Sequence, residues 1–111
     1  MLKYKVINFS IPVGSTPVTK SIRIEKGQVE KCSLFTDDTP NTGVNIKIEE
    51  NGGDDIHPYV TYKEFQPTNG NHLDSRKDLV FDGNRDINVI AMPMGDLEAP
   101  FNFQMIFYIE Q

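Results

Sequence analysis

Histidine, serine and aspartate are the residues of this sequence that could activate a nucleophile. His57 precedes a proline in "IHPY", and His72 is followed by Asp74 and Ser75 in "HLDSR". Neither histidine lies near the strand-to-helix turn that presents a catalytic serine, and neighbours in one loop do not form a triad without special folding. The sequence therefore favours a non-enzymatic protein over a hydrolase built on His72 and Asp74, and it nominates no catalytic residue.

Carboxylates in turn-like segments raise the question of a metal site. "DGNRD" places Asp82, Asn84 and Asp86 at alternate positions, as at the start of an EF-hand calcium loop. The pattern then departs from that loop, because Ile87 stands in place of its glycine and Pro93 in place of its glutamate. One cysteine and two histidines supply no zinc ligand set. We expect no metal site and no cofactor, and calcium at the loop carboxylates stays an open alternative.

Three aromatic side chains could bind a sugar. Tyr59, Tyr62 and Phe65 are expected to form an exposed cluster, which could stack on a pyranose ring. They could equally cover the end of the core or a subunit contact, and the absence of tryptophan favours that alternative. A carbohydrate-binding β-sandwich module that uses these rings and the loop 66–78 is the second candidate function.

Composition limits the chain to a small number of classes. At 111 residues and 12.6 kDa, one domain spanning 1–111 is expected. The formal net charge of −5 would repel a phosphate backbone, and no basic patch offsets it, so we expect no nucleic-acid partner. No signal peptide and no apolar run of membrane-spanning length are recognisable, which predicts no membrane insertion and synthesis in a cytoplasm. The single cysteine, Cys32, is expected to be a small buried hydrophobe.

Eight segments are strand candidates, and none repeats at the period of a helix; most alternate between apolar and polar residues, while the fifth is ambiguous in phase and the seventh is apolar on both faces. They cover about residues 4–13, 18–25, 29–36, 44–49, 59–65, 79–81, 87–92 and 101–111. Turn-forming Gly, Pro, Asn and Asp residues separate them. Connections of varied length favour an all-β, single-domain antiparallel β-sandwich, an eight-stranded jelly roll above all, with a seven-stranded immunoglobulin-like sandwich as the alternative.

The last segment, "FNFQMIFYIEQ", is predicted to bury one face completely. Its other face carries Ile106 and Tyr108 between polar residues, which suggests partial cover by another surface. In the first segment Tyr4 and Val6 are out of phase with the apolar residues that follow, which predicts a bulge or a separate arm. These four residues are the candidate subunit interface, and lysine at 106 and 108 is expected to block assembly while the fold stays intact.

Strand order and turn placement resemble those of a known family. The stretches "VTKSIRIEKGQVEKCSLFTDDTPNTGVNIKIEENGGDDI", "LDSRKDLVFDGNRDINVIAMPMG" and "FNFQMIFYIEQ" resemble the small single jelly-roll minor capsid or penton-type proteins of icosahedral bacteriophages. The resemblance implies a virion structural protein, made in the host cytoplasm, that assembles with copies of itself, commonly around a fivefold vertex. It also implies contact with the major capsid protein, and it brings no catalytic residues and no cofactor.

Overall fold

The fold is all-β, as the sequence predicts. The computed structural model describes residues 2–51, 53–66 and 77–111. Its eight strands are β1 (Leu2–Ile11), β2 (Val18–Ile24), β3 (Gln28–Phe35), β4 (Val44–Glu50), β5 (Asp55–Thr61), β6 (Lys77–Asp82), β7 (Arg85–Pro93) and β8 (Phe101–Glu110). A single turn of 3₁₀-helix, Tyr62–Phe65, follows β5, and the described part of the chain contains no α-helix.

The strands form two antiparallel four-stranded sheets that pack as a sandwich. The first sheet has the order β1-β8-β3-β6, and the second has the order β2-β7-β4-β5. Only the connection from β4 to β5 stays within one sheet, while every other connection crosses to the opposite sheet. Such crossing connections produce a jelly roll rather than a meander. The eight-stranded prediction is confirmed, and the seven-stranded alternative does not apply.

The core lies between the two sheets and is built from alternate residues of each strand. In β8 every second side chain from Phe101 to Ile109 is at most 4% exposed. From the second sheet, Val44, Ile46 and Ile48 of β4 are fully buried, as their alternation predicts. Burial of each large apolar side chain contributes roughly 1.5–3 kcal/mol before conformational entropy is counted.

Two local expectations for the first sheet need correction. β1 pairs with β8 in one unbroken register from Leu2↔Glu110 to Ile11↔Phe101, so its first residues are neither a bulge nor an arm. A bulge occurs instead in β3, where the register to β8 shifts between Val29 and Lys31. The shift lets Val29 share the core face with Cys32, although they are three positions apart, an odd spacing that would otherwise place them on opposite faces.

Candidate functional site

The outer face of the first sheet brings together the four residues that the sequence nominates as an interface. Antiparallel pairing places Tyr4 opposite Tyr108 and Val6 opposite Ile106, on two successive rows of the sheet. Tyr4 is 62% exposed and Val6 is 47% exposed, and Ile106 is half-buried. At the end of the sheet where β1 starts, the outer face carries a small apolar patch. We call it the β1–β8 patch, and it consists of Tyr4, Val6, Ile106 and Tyr108.

The cover over Tyr108 comes from the chain itself. The Tyr4 and Tyr108 rings meet edge to face with centroids 5.3 Å apart, and Tyr108 is only 5% exposed. Tyr108 thus contributes to the stability of the monomer, and its replacement by lysine would disturb the fold. The expectation that lysine at 108 leaves the fold intact is wrong, because a buried ring and not an exposed one would be removed.

The two outer faces of the sandwich differ in charge. Beyond the β1–β8 patch, the next two rows of the first sheet carry only uncharged side chains: Asn8, Gln104 and Phe35 in one row, and Ser10 and Asn102 in the other. The second sheet instead carries ion pairs on its outer face, Arg23 to Asp86 at 3.5 Å and Lys47 to Asp55 at 3.0 Å. Exposed ion pairs are typical of a solvated surface, whereas a lack of charge is typical of the centre of an interface.

Lys47 is held in its charged form by the carboxylates beside it. Its ammonium donates to Asp55 and lies 3.4 Å from Glu49. The hydrogen bond to Asp55 is the main cause of a raised Lys47 pKa, and it outweighs the opposing effect of desolvation. Because the folded-state pKa is raised, this contribution to stability is complete below the ordinary lysine pKa and is lost as pH rises through the folded-state value.

We expect Asp55→Asn to lower the pKa of Lys47 toward its ordinary value, because the largest stabilising partner of the ammonium loses its charge. The measurement is an NMR titration of the Lys47 side chain at alkaline pH. Glu25→Gln, which removes an equal charge but no ion pair of Lys47, is the control and should leave the titration unchanged. Equal midpoints for Asp55→Asn and the parent protein would show that Asp55 does not perturb Lys47.

The three aromatic residues nominated for sugar binding do not form an exposed cluster. Tyr62 is 5% exposed and Phe65 is fully buried, because the 3₁₀ turn after β5 points both into the core. Tyr62 packs against Phe101 with ring centroids 5.2 Å apart. Tyr59 remains 37% exposed, with Lys47 5.5 Å from its ring centroid. The expected three-ring platform is wrong, and the alternative of rings covering the end of the core holds for Tyr62 and Phe65.

Two of the three candidate calcium residues bind the guanidinium group of Arg23. Arg23 donates to Asn84 Oδ1 at 2.6 Å and to Asp86 Oδ1 at 3.5 Å. Within the described ranges, no group of three or more histidine, cysteine, aspartate or glutamate residues is placed to hold a metal ion. The guanidinium therefore forms hydrogen bonds with two of the three side chains that the "DGNRD" pattern suggested as calcium ligands.

Most residues of the histidine-based hypothesis lie outside the described part of the chain: His72, Asp74 and Ser75 fall between 67 and 76. So does most of the loop 66–78 that the sugar-binding hypothesis invokes. His57 is described, and its Nδ1 lies 2.9 Å from the carbonyl oxygen of Pro58. No helix among the described residues is long and apolar enough to cross a membrane.

One polar site was not predicted from the sequence. A groove opens at the end of the first sheet remote from Tyr4, where β1, β8 and the end of β3 lie side by side. Amide side chains that line it, such as Asn8 and Gln104, are ordinary solvent-facing residues in a strand pattern. Only the pairing of the first strand with the last brings them together.

Comparisons with known proteins find structures of similar fold but no related family. No protein-family model and no curated protein matches the chain. The chain is similar to the Yersinia pseudotuberculosis-derived mitogen at 10% identity and a TM-score of 0.51, over 100% of this chain and 88% of that one. It is similar to a protein of Bacillus endospore appendages, which form disulfide-linked pili, at 10% identity and a TM-score of 0.51, over 98% and 88% of the two chains.

A capsid structure of the Helicobacter pylori bacteriophage KHP30 matches at 8% identity and a TM-score of 0.48, over 98% of this chain and 93% of that one. The two similarities with a TM-score of 0.51 show a shared β-sandwich fold, and at 10% identity they show no shared activity.

Proposed function

We propose that the protein is a non-enzymatic structural subunit that associates with copies of itself through the outer face of its first sheet. The finer form of the proposal is a minor capsid or penton-type subunit of a virion, made in the host cytoplasm, that also contacts the major capsid protein. That finer form rests on the resemblance in strand order. The observation that supports association is the partly apolar, uncharged part of the outer face from Val6 to Ser10, which begins next to Lys31 in the Tyr108 row.

Exposed apolar side chains on a regular sheet favour association. Tyr4 and Val6 are among the most exposed large hydrophobic residues described, and they lie side by side with half-buried Ile106. Aromatic residues are enriched and charged residues depleted at the centre of protein interfaces. Covering these side chains with a second surface removes apolar area from water, which is the main favourable contribution to protein association.

Charge indicates that a second copy is a suitable occupant. Two chains that each carry −5 repel each other on average, so contact is favoured where the local surface carries no charge. The three rows from Val6 to Ser10 meet that condition across β1, β8 and β3, and an identical surface on a second copy meets it equally. The ion-paired second sheet does not.

A covalent link between copies is not part of the proposal. Cys32, the single cysteine of the chain, is fully buried in the core. The disulfide linkage of the endospore pili therefore has no accessible counterpart in this chain. Association should depend on non-covalent contacts alone.

The proposal predicts that the purified chain forms a discrete oligomer. Light scattering after size exclusion, from micromolar to millimolar concentration, should give a multiple of 12.6 kDa, and five copies would match the penton-type reading. The mass should be the same with and without a thiol reductant, because Cys32 cannot bridge two folded chains. A monomer at every concentration would contradict self-association, and a mass that falls on reduction would contradict its non-covalent character.

A further inference from the structure

A groove of about 570 Å³ lies at the end of the first sheet opposite Tyr4, within the usual size range of small-molecule sites. Eight of its lining residues are uncharged, and they come from three strands and the segment after β3. They are Asn8, Phe9, Ser10, Phe35, Thr36, Asn102, Phe103 and Gln104.

Several hydrogen-bonding groups of this lining remain available. Gln104 Nε2 donates to Asn8 Oδ1 at 3.0 Å, which leaves Asn8 Nδ2 as a donor and Gln104 Oε1 as an acceptor. Among the described residues, no hydrogen bond engages the side-chain amide of Asn102 or the hydroxyl of Ser10. The amide and hydroxyl side chains of the groove thus offer both uncharged donors and uncharged acceptors.

The lining is held in place by contacts between β8 and the segment after β3. Thr36 Oγ1 donates to the Asn102 carbonyl oxygen at 2.6 Å, and Asp38 Oδ2 accepts from the Asn102 backbone N–H at 2.8 Å. The same Thr36 oxygen accepts from the Asp38 N–H at 3.0 Å. The groove is therefore preformed, which lowers the entropic cost of binding a ligand.

The chemistry of the groove identifies the ligand class. We propose that it binds a neutral saccharide. Adjacent sugar hydroxyls each donate and accept a hydrogen bond, which matches amide and hydroxyl side chains, and half-buried Phe35 adds an apolar surface for the C–H face of a pyranose ring. Lys20 and Asp37, the charged residues of the groove, are opposite in sign, so no net charge selects an ionic ligand.

This site differs from the sugar site expected at Tyr59, which lies on the second sheet. It lies beside the β1–β8 patch, on the amide rows that a second copy would also cover in the proposed self-association. Saccharide binding is therefore measured both on the parent and on a variant that no longer associates, in which the groove is uncovered. A variant that no longer associates should bind a saccharide at least as well as the parent, since its groove residues are unchanged.

The test is binding of neutral oligosaccharides of glucose, galactose and mannose, measured by a glycan array and then by calorimetry with the best oligosaccharide. Asn8→Ala combined with Gln104→Ala removes two groove amides and should weaken binding about tenfold or more. The matched control is Ser21→Ala with Asn88→Ala, a hydrogen-bonded cross-strand pair on the outer face of the second sheet. It should bind like the parent.

Circular dichroism and urea unfolding establish that each variant is folded before its binding is measured. Several results would overturn the proposal: no neutral oligosaccharide binds at millimolar concentration, only acidic saccharides bind, or the groove variant binds as tightly as the control. Loss of self-association with intact saccharide binding would contradict the proposed function alone, and the reverse result would contradict this inference alone.

Discussion

Replacement of Tyr4 and Val6 with lysine is expected to convert the oligomer into monomers. Both side chains are exposed, and they form the part of the β1–β8 patch that lies on the edge strand β1. Lysine at both positions replaces apolar contact area with two charges that association would have to desolvate. We expect association to weaken at least about 100-fold, since the lost apolar anchors and the burial of unpaired charge each cost more than about 1 kcal/mol. Light scattering at a fixed concentration measures the change.

The fold should tolerate this double substitution. Surface substitutions usually change stability by less than about 0.5 kcal/mol, and the aliphatic stem of a lysine at position 4 can still cover the Tyr108 ring. Tyr4 and Val6 are therefore better test positions than Tyr108, which the monomer buries.

Val13→Lys with Met94→Lys provides the control for added charge. Both residues are 61% exposed, and both lie outside β1 and β8. These changes add the same two charges to the same chain, and the oligomer should persist. Equal dissociation of both double variants would show that net charge and not the β1–β8 patch governs association.

Replacement of Gly83 with alanine is expected to be the most destabilising single substitution considered. A Cβ at this position would lie 2.1 Å from the Glu25 carbonyl oxygen, which is backbone and cannot rotate away. The turn between β6 and β7 is held against that segment by Gly83 N–H to Gly27 O at 2.7 Å and by Asn84 N–H to Glu25 O at 3.0 Å. Relief of the collision would break both bonds.

We expect the free energy of unfolding to fall by at least about 3 kcal/mol for this variant, from overpacking and lost hydrogen bonds together. Urea unfolding followed by circular dichroism measures it. Gly43→Ala is the matched control, because its Cβ would meet Met94 Cγ at 3.4 Å, a contact with a flexible side chain. A stability change in Gly83→Ala no larger than that of the control would show that the turn can move away from Glu25.

Alternation along single strands predicted much of the fold. β4 and β8 alternate without error because each packs one face against the core, so their buried residues could be read from the sequence. Tyr4 and Val6 are out of phase with the apolar residues that follow, but the bulge or arm inferred from this is wrong, because the two residues belong to the opposite face of the same regular strand. A period of two identifies both faces of a strand but does not say which side the core occupies.

The candidate sites were harder to predict, because they depend on tertiary contacts. Tyr62 and Phe65 look like exposed strand aromatics, yet a 3₁₀ turn with Thr61 accepting from the Lys63 N–H redirects them into the core. The four patch residues were nominated for an interface from two separate segments, and only the pairing of β1 with β8 shows that they are neighbours. Their role in association stays a prediction.

The pairing of β1 with β8 has a consequence for biosynthesis. Within the described chain, β8 is the sheet neighbour of β1, and about a hundred residues separate the paired positions at Leu2 and Glu110. During translation β1 therefore has no pairing partner until β8 has been made, and Ile7, Phe9 and Ile11 remain uncovered until then. Pairing between such distant segments slows folding, and an unpaired apolar strand favours aggregation. The nascent chain is thus most vulnerable in the interval before β8 has been made, and chaperone capture should be strongest at that stage.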